Sequence, residues 1–353
     1  MASALSKLRR RTHRTLRITL AWVAAGLLAA LWESNVLADH GLPPERMAVL
    51  DRYFWRMALG GLLGGGVYIF LLRDRLRKLP FPQAFGIVAI AALVVLIGLH
   101  VLRSLVVPDL LPLQTLAQRL FTLDFLGQWL FACLLMGATM IMVRLNDQFG
   151  SGAAGFLLGR YYKPRQELRI FMFLDLRSST TIAERIGDTR YFQLLNSIFS
   201  DITDAVVYSG GDIYQYVGDE ISISWPLHRG IQRQNCLRCF FAIRDKLRAR
   251  AAHYRSLYGI EPVFKAGIHY GQVTTGEVGL VKKQTIFSGD VVNTTAHIQT
   301  MCNELGVDLL ISKELLDVLV LPTDGWTVRH LGRVNLKGKV REIELYHVDR
   351  QGV

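Results

Sequence analysis

The sequence predicts an α-helical transmembrane bundle followed by an α+β domain, in which helices flank a mostly antiparallel sheet. Three observations predict this fold. The first 144 residues contain four apolar runs of about 18 to 20 residues, long enough to cross a hydrocarbon core as helices. The mean hydropathy of the whole chain, +0.26, is high for a soluble protein. Beyond residue 167, strand-like and helix-like patterns alternate, as in an α+β domain.

The four apolar runs define a predicted membrane domain at 18–144, preceded by a basic segment at 1–17. The first run has a basic start like a signal peptide, but it is long and no small-x-small cleavage pattern follows it. We therefore predict a retained helix. The predicted spans are Ile18–Leu37, Tyr53–Leu72, Phe85–Leu102 and Phe125–Val143.

The charge distribution predicts the orientation of the spans. The net charge is +12, and residues 1–144 carry 16 Lys and Arg against 7 Asp and Glu, whereas the remainder carries 25 against 22. The basic residues cluster before the first span, between the second and third, and after the fourth. The positive-inside rule then places both termini in the cytoplasm of a multi-pass protein of the cell (inner) membrane. With the basicity in the apolar half, nucleic acid is disfavoured as a partner.

Polar residues and glycines in the membrane half each allow two interpretations. Polar side chains near the outer ends of the spans fit either a sensing site or an interfacial position, and we favour the second. Glycines in the second span permit close helix packing, within a chain or between chains. The residues concerned are Glu33, Asn35, His100, Arg103, Asp124 and Gln128, and Gly60, Gly61, Gly64, Gly65 and Gly66.

The stretch 169–181, Arg-Ile-Phe-Met-Phe-Leu-Asp-Leu-Arg-Ser-Ser-Thr-Thr, is the first candidate site. An apolar strand ends on Asp175, and a helical pattern begins after Ser178, Ser179 and Thr180. A carboxylate at a strand end supplies a hard oxygen ligand for magnesium. The free N–H groups of a first helical turn favour anions. Together they suit a metal-bound phosphate.

A second acid lies at a predicted hairpin turn. Residues 210–225 contain two alternating strands around Gly218-Asp219, so the tip of the hairpin presents Asp219. Asp175 and Asp219, each at the end of a strand, are placed to share a pair of metal ions.

The remaining pattern predicts further elements of the α+β domain. A helix covers 182–207 with a break near Gly187, and a second covers 232–258 with Cys236 and Cys239, for which core packing is favoured over redox or metal chemistry. A strand at 263–269 is followed by a turn and another strand within 270–280. A third helix covers 290–305.

These motifs resemble the catalytic domain of the class III nucleotidyl cyclases, the adenylate and guanylate cyclases, over about half of the chain. The resemblance implies a class III cyclase-like catalytic domain at 168–353, joined to the spans by a linker at 145–167. The linker fits a signal relay or a passive tether equally. Two Mg²⁺ or Mn²⁺ ions per site are then held by Asp175, Asp219 and the carbonyl of Leu176.

Two further motifs extend the resemblance. In Gly289-Asp-Val-Val-Asn-Thr-Thr-Ala-His297, Asn293 falls on the ribose-orienting asparagine of the family. The family arginine at the reacting phosphate falls on His297, which is a departure and implies weaker catalysis. In the stretch 334–339, Lys337 falls on a lysine that contacts the triphosphate.

One base-selecting position of the family falls on Gln215, and its partner falls near Ile286. Neither standard pair is present, and Gln215 can donate and accept hydrogen bonds, which suits either purine. The absence of the Glu and Cys pair of guanylate cyclases favours ATP over GTP.

The resemblance therefore implies a membrane-bound adenylate cyclase that converts ATP to 3′,5′-cyclic AMP and pyrophosphate. It implies a two-metal mechanism in a homodimer. The alternatives are a catalytically impaired, receptor-like protein that binds nucleotide, or a guanylate cyclase.

Overall fold

The structure, a computed structural model, describes residues 2–42, 45–76, 79–106, 120, 122–149, 163–279, 284–322, 325–335 and 342–351. The chain divides into two compact units, Met1–Phe149 and Gly150–Val353. Most of the predicted linker, residues 150–162, lies outside the described residues.

Apart from short turns, the described part of the N-terminal unit is helical. Four helical stretches are long and apolar enough to cross a membrane: Arg11–Asp39, Arg46–Leu76, Phe81–Leu102 and Leu123–Leu145. They contain the four predicted spans, and the first continues the basic segment without a break. A π-helical turn at Tyr68–Leu72 lies within the second. The helices are α1 (Ala2–Asp39), α2 (Arg46–Val67), α3 (Arg73–Leu76), α4 (Phe81–Val106) and α5 (Leu123–Phe149).

The glycines of α2 bring it against α1 within one chain. A Cβ at Gly61 would lie 2.8 Å from the Cα of Thr19, and one at Gly65 would lie 3.1 Å from Ile18. Gly60 and Gly64 face the ring of Trp22. Because a backbone atom is the nearest neighbour at Gly61, the two helices can approach this closely only with glycine there.

The C-terminal unit combines helices with one sheet, as predicted. Its helices are α6 (Ser179–Ile186), α7 (Asp188–Tyr208), α8 (Leu227–Ile231), α9 (Asn235–Ala249), α10 (Ala251–Tyr258), α11 (Asp290–Glu304) and α12 (Lys313–Val318). Its strands are β1 (Arg165–Leu176), β2 (Asp212–Val217), β3 (Glu220–Pro226), β4 (Phe264–Val278), β5 (Gln284–Ser288), β6 (Leu309–Ser312), β7 (Trp326–Val334) and β8 (Ile343–Arg350).

The strands of the described part form a mixed, mostly antiparallel sheet. Their order is β2-β3-β1-β4-β6-β8-β7, and β5 pairs with β4. The β4–β6 pair is parallel and the other pairs are antiparallel. Strand β1 therefore lies inside the sheet between β3 and β4, so its C-terminal end has a strand on each side.

Alternation along β1 separates the two faces of the sheet. Ile170, Met172 and Leu174 join the main core with α7 and α9, while Phe171 and Phe173 pack toward α11. Helix α9 also buries Cys236 and Cys239 in the main core, and burial raises the pKa of both thiols to about 12. Packing is therefore the role that the structure gives this cysteine pair.

Two of the predicted helices are interrupted and one predicted turn is wrong. The helix at 182–207 is divided at Gly187, as predicted, and the second helix is divided at Arg250. The turn predicted after His269 does not form, because β4 runs unbroken from Phe264 to Val278. A Cβ at Gly271 would lie 3.2 Å from Val291 of α11, so this glycine serves close helix packing.

Substitution of Gly61 by leucine is expected to destabilise the membrane unit. The added side chain would meet the backbone of α1, and overpacking of this kind costs about 1–3 kcal/mol. Thermal unfolding of the full chain in detergent would measure the loss. Gly98→Leu is the matched control, because a Cβ at Gly98 meets nothing within 4 Å. Equal midpoints for the two variants would contradict this account of the packing.

Candidate active site

Asp175 lies at the C-terminal end of β1, on the same face of the sheet as Phe171 and Phe173. The antiparallel register pairs it with Lys265 of β4. The Lys265 Nζ lies 3.1 Å from Asp175 Oδ2, and the lysine side chain is only 9% exposed. The carboxylate thus has a buried cation beside it.

A second donor reaches the same oxygen from helix α11. The Nε2 of Gln299 donates to Asp175 Oδ2 over 3.0 Å, and Gln299 is 3% exposed. Two donors from different elements therefore hold this oxygen in a fixed direction.

Asp219 lies in the turn between β2 and β3, directly after Gly218, whose φ is +61°. Burial is the main cause that raises the pKa of Asp219, and hydrogen bonding and charge repulsion from Asp175 raise it further. A hydrogen bond from Ser179 acts in the opposite direction. The two predicted acids are thus brought together, and Asp175 makes the ionisation of Asp219 less favourable.

The segment after Asp175 turns sharply into α6. Ser178 has a left-handed φ of 55°, and Ser179 begins the helix and contacts Asp219. Arg177 fixes the turn, because its Nε donates to Asp308 and its Nη2 donates to the carbonyl of Val307.

The other residues of this segment have different surroundings. The side chains of Ser178 and Thr180 are exposed. Leu176 is buried at 1% exposure. Its hydrocarbon side chain carries no ligating atom, so the ligand predicted for this residue is its backbone carbonyl.

The remaining predicted residues lie on other elements. Gln215 is on β2 and Ile286 is on β5, each half-buried. The neighbouring rings of Tyr214 and Phe287 are 4.8 Å apart between centroids, so these two strands adjoin next to the predicted base-selecting positions.

Asn293 and His297 lie one turn apart on α11, the first exposed and the second half-buried. Within the described residues, the side-chain partners of Asp175 include Lys265 and Gln299 but neither Asn293 nor His297. The structure therefore does not bring this predicted pair to the carboxylates of the same chain. Lys337 lies outside the described residues.

Residues at the carboxylates that are absent from the predicted site include Lys265, Gln299 and Glu220. Burial and then the charge of Asp175 raise the pKa of Glu220, which follows Asp219. The signal for Glu220 was its place next to a predicted ligand. Lys265 could be found only from the β1–β4 register, and Gln299 only from the packing of α11.

The carboxylate pair fits a divalent cation. Asp219 Oδ2 is buried and has no hydrogen-bond partner among the described residues. It lies beside a second carboxylate, and hard oxygen ligands of this kind suit Mg²⁺ or Mn²⁺. No group of three or more His, Cys, Asp or Glu side chains with metal-binding geometry occurs in the described part of the chain. Further ligands would therefore come from backbone, water or a bound phosphate.

Residues 161–350 match the adenylate and guanylate cyclase catalytic domain family. This match covers more than half of the chain, which therefore belongs to that family, the class III nucleotidyl cyclases.

The chain is similar to adenylate cyclase 2 of Rhizobium meliloti (strain 1021), with 35% identity over 222 residues, which are 63% of this chain and 61% of the relative. It is 28% identical to an adenylate cyclase of Anabaena cylindrica over 186 residues, 50% of this chain and 36% of the relative. The chain thus spans less than two thirds of the length of both relatives.

The fold also resembles the solved structure of a bacterial light-regulated adenylyl cyclase. The TM-score is 0.54 at 22% identity, over 62% of this chain and 64% of that one. At this identity the likeness concerns the fold alone.

Replacement of Asp219 by asparagine is expected to stabilise the metal-free protein, because it removes one of two neighbouring, partly buried carboxylates. Relief of about 1 kcal/mol would raise the midpoint of thermal unfolding in EDTA by about 2–4 °C. Added Mn²⁺ should then raise the midpoint of the wild type more than that of the variant. Asp204→Asn, at an exposed position of α7, is the control. A lower midpoint for Asp219→Asn in EDTA would contradict the account.

Proposed function

We propose that this protein is a membrane-bound adenylate cyclase that converts ATP to 3′,5′-cyclic AMP and pyrophosphate. The observation that carries the proposal is the adjoining pair Asp175 and Asp219, with a buried, unpartnered oxygen on Asp219, in a chain of the cyclase family. The similarity to a relative named adenylate cyclase supports ATP as the substrate.

In the proposed reaction, the ribose 3′-oxygen attacks the α-phosphorus and pyrophosphate leaves. The 3′-hydroxyl gives its proton to water as the new oxygen–phosphorus bond forms. The bond from the α-phosphorus to the oxygen that bridges the α- and β-phosphates breaks, and that oxygen leaves with the pyrophosphate. Asp175, Asp219 and the carbonyl of Leu176 would hold two Mg²⁺ or Mn²⁺ ions. Divalent ions so held lower the pKa of a bound hydroxyl and offset phosphate charge.

Other residues would position the nucleotide. Backbone N–H groups at Ser178, Ser179 and Thr180 lie where α6 begins, a position that favours phosphate. Lys337 would add a cation, and Asn293 would orient the ribose.

His297 would contact the α-phosphate in the place of the family arginine. Imidazole carries its positive charge only part of the time near neutral pH, whereas a guanidinium is always charged. Slow turnover is therefore part of the proposal.

The separation of the site residues within one chain supports a homodimer. Asp175 and Asp219 adjoin, whereas Asn293 and His297 lie across α11 from Gln299, the residue that contacts Asp175. A site that needs both sets would be completed by α11 of a second copy. Four membrane spans per chain would hold two copies at high effective concentration.

We further propose the orientation and boundaries that the sequence predicts. Four spans would place both termini, the basic segment 1–17 and the catalytic domain 168–353 on the cytoplasmic side of the cell membrane. The linker 145–167 would connect span and catalytic domain.

A second candidate function is favoured by His297 and Gln215. It is a cyclase-like protein that binds nucleotide and signals through the membrane unit with little or no turnover. A guanylate cyclase is the third reading, because Gln215 can pair with either purine.

Detergent-solubilised full-length protein with Mn²⁺ should form cyclic AMP from ATP in preference to cyclic GMP from GTP. Asp175→Ala should lower the rate by about a hundredfold or more, since a metal ligand is lost. His297→Arg should raise the rate by about tenfold or more, because a permanent charge then meets the α-phosphate.

The matched controls are Asp204→Ala and His253→Arg, both at exposed positions. Product from His297→Arg alone would favour the second candidate function. Dominant cyclic GMP would favour the third, and silence of every variant would contradict the proposed activity.

Mixed dimers provide a separate test of the shared site. Asp175→Ala and Asn293→Ala should each be inactive alone. Co-expressed in equal amounts, they should recover about a quarter of wild-type activity, because half of the dimers are mixed and each of these has one intact site. Absence of any recovery, with mixed dimers verified by two affinity tags, would argue that each chain builds its own site.

A further inference from the structure

The two oxygens of Asp175 are used differently. Oδ2 accepts from Lys265 Nζ at 3.1 Å and from Gln299 Nε2 at 3.0 Å. An ionised carboxylate offers about four lone-pair sites, two on each oxygen. The two donors therefore occupy Oδ2, and Oδ1 is the oxygen available to a cation shared with Asp219.

The backbone at Gln299 is held tightly against the sheet. A Cβ on Gly267 of β4 would lie 2.4 Å from the backbone nitrogen of Gln299, so helix and strand are in direct contact here. One turn further on, the Sγ of Cys302 donates to the carbonyl of Ala266 over 3.3 Å. With its backbone anchored and its side chain 3% exposed, Gln299 has little freedom to leave Asp175.

Gln299 is also separate from the predicted catalytic residues of its helix. Asn293 and His297 are four residues apart and share one face of α11, whereas Gln299 is two residues from His297 and lies on the opposite side. Its substitution can therefore change the surroundings of Asp175 without removing a group that contacts nucleotide.

We propose that Gln299 is a positioning residue, whose amide fixes the Asp175 carboxylate so that Oδ1 is presented to a divalent cation beside Asp219. The proposal rests on the proposed function, because it assumes that these acids hold metal. Hydrogen-bond partners of metal ligands commonly change metal affinity by about 10–100-fold when they are removed. Lys265 donates to Oδ2 from β4 only, which leaves the carboxylate free to rotate about that contact. The amide of Gln299 donates from α11 and so fixes the orientation of the carboxylate.

The test measures metal binding rather than turnover. Mn²⁺ is titrated into full-length protein in detergent with 3′-deoxy-ATP, which lacks the attacking hydroxyl, and free Mn²⁺ is followed by electron paramagnetic resonance. Gln299→Met keeps the length of the side chain without the donor. Gln299→Asn keeps the amide but is one carbon too short to reach Asp175. Both variants should raise the Mn²⁺ dissociation constant by about 10–100-fold.

Gln272→Met is the matched control. Gln272 is an exposed glutamine of β4 whose Nε2 donates to Gln166 over 2.8 Å, and its substitution should leave Mn²⁺ affinity unchanged. The thermal midpoint of each variant shows whether it is folded, and Gln299→Asn decides the result if Gln299→Met is not.

Two outcomes distinguish failure of the positioning role of Gln299 from failure of the proposed metal site. Wild-type affinity in a folded Gln299→Asn variant, alongside loss of binding in Asp175→Ala, would overturn the positioning role alone. Wild-type binding of Mn²⁺ that is unaffected by Asp175→Ala would overturn the proposed metal site, and the role of Gln299 with it.

Discussion

The close approach of Asp175 and Asp219 is the constraint on which the catalytic unit depends. Burial raises the pKa of Asp219, and charge repulsion from Asp175 raises it further, so holding the two acids together costs free energy. Lys265 and Gln299 stabilise the Asp175 carboxylate, and a hydrogen bond from Ser179 partly offsets the cost at Asp219. Asp219 Oδ2 keeps no partner among the described residues. The proposed divalent cation would supply a partner for this oxygen.

The sequence predicted the parts of this arrangement that are local. Two elements can each be recognised within about a dozen residues: the apolar strand that ends at Asp175 and the hairpin that turns at Asp219. The reason is that strand periodicity and a turn glycine are short-range signals. The donors to Asp175 are not local. Gln299 is 124 residues from Asp175 in the sequence. Its role depends on how α11 packs on β4, and the hydrophobic periodicity of the sequence does not reveal that packing.

Glycine accounts for one turn that is predicted correctly and one that is predicted wrongly. At Gly218 the φ of +61° makes the residue a turn signal, and the hairpin was predicted correctly. At Gly271 the same residue type predicted a turn where β4 continues, since the glycine there makes room for Val291. The two uses, positive φ and close approach, cannot be separated from composition alone. Gly267 under Gln299 belongs to the second kind.

Helix α11 connects these points to the proposed dimer. Its inner face holds Gln299 against Asp175, and its outer face carries Asn293 and His297. If that outer pair completes the site of a second copy, α11 contacts two sites. One side of the helix then faces Asp175 of its own chain, and the other side faces the phosphate in the site of the second copy. Any shift between the two copies would then move His297 relative to the α-phosphate of the neighbouring site. Because imidazole is shorter than a guanidinium fork, this chain would be more sensitive to such a shift than a family member with arginine.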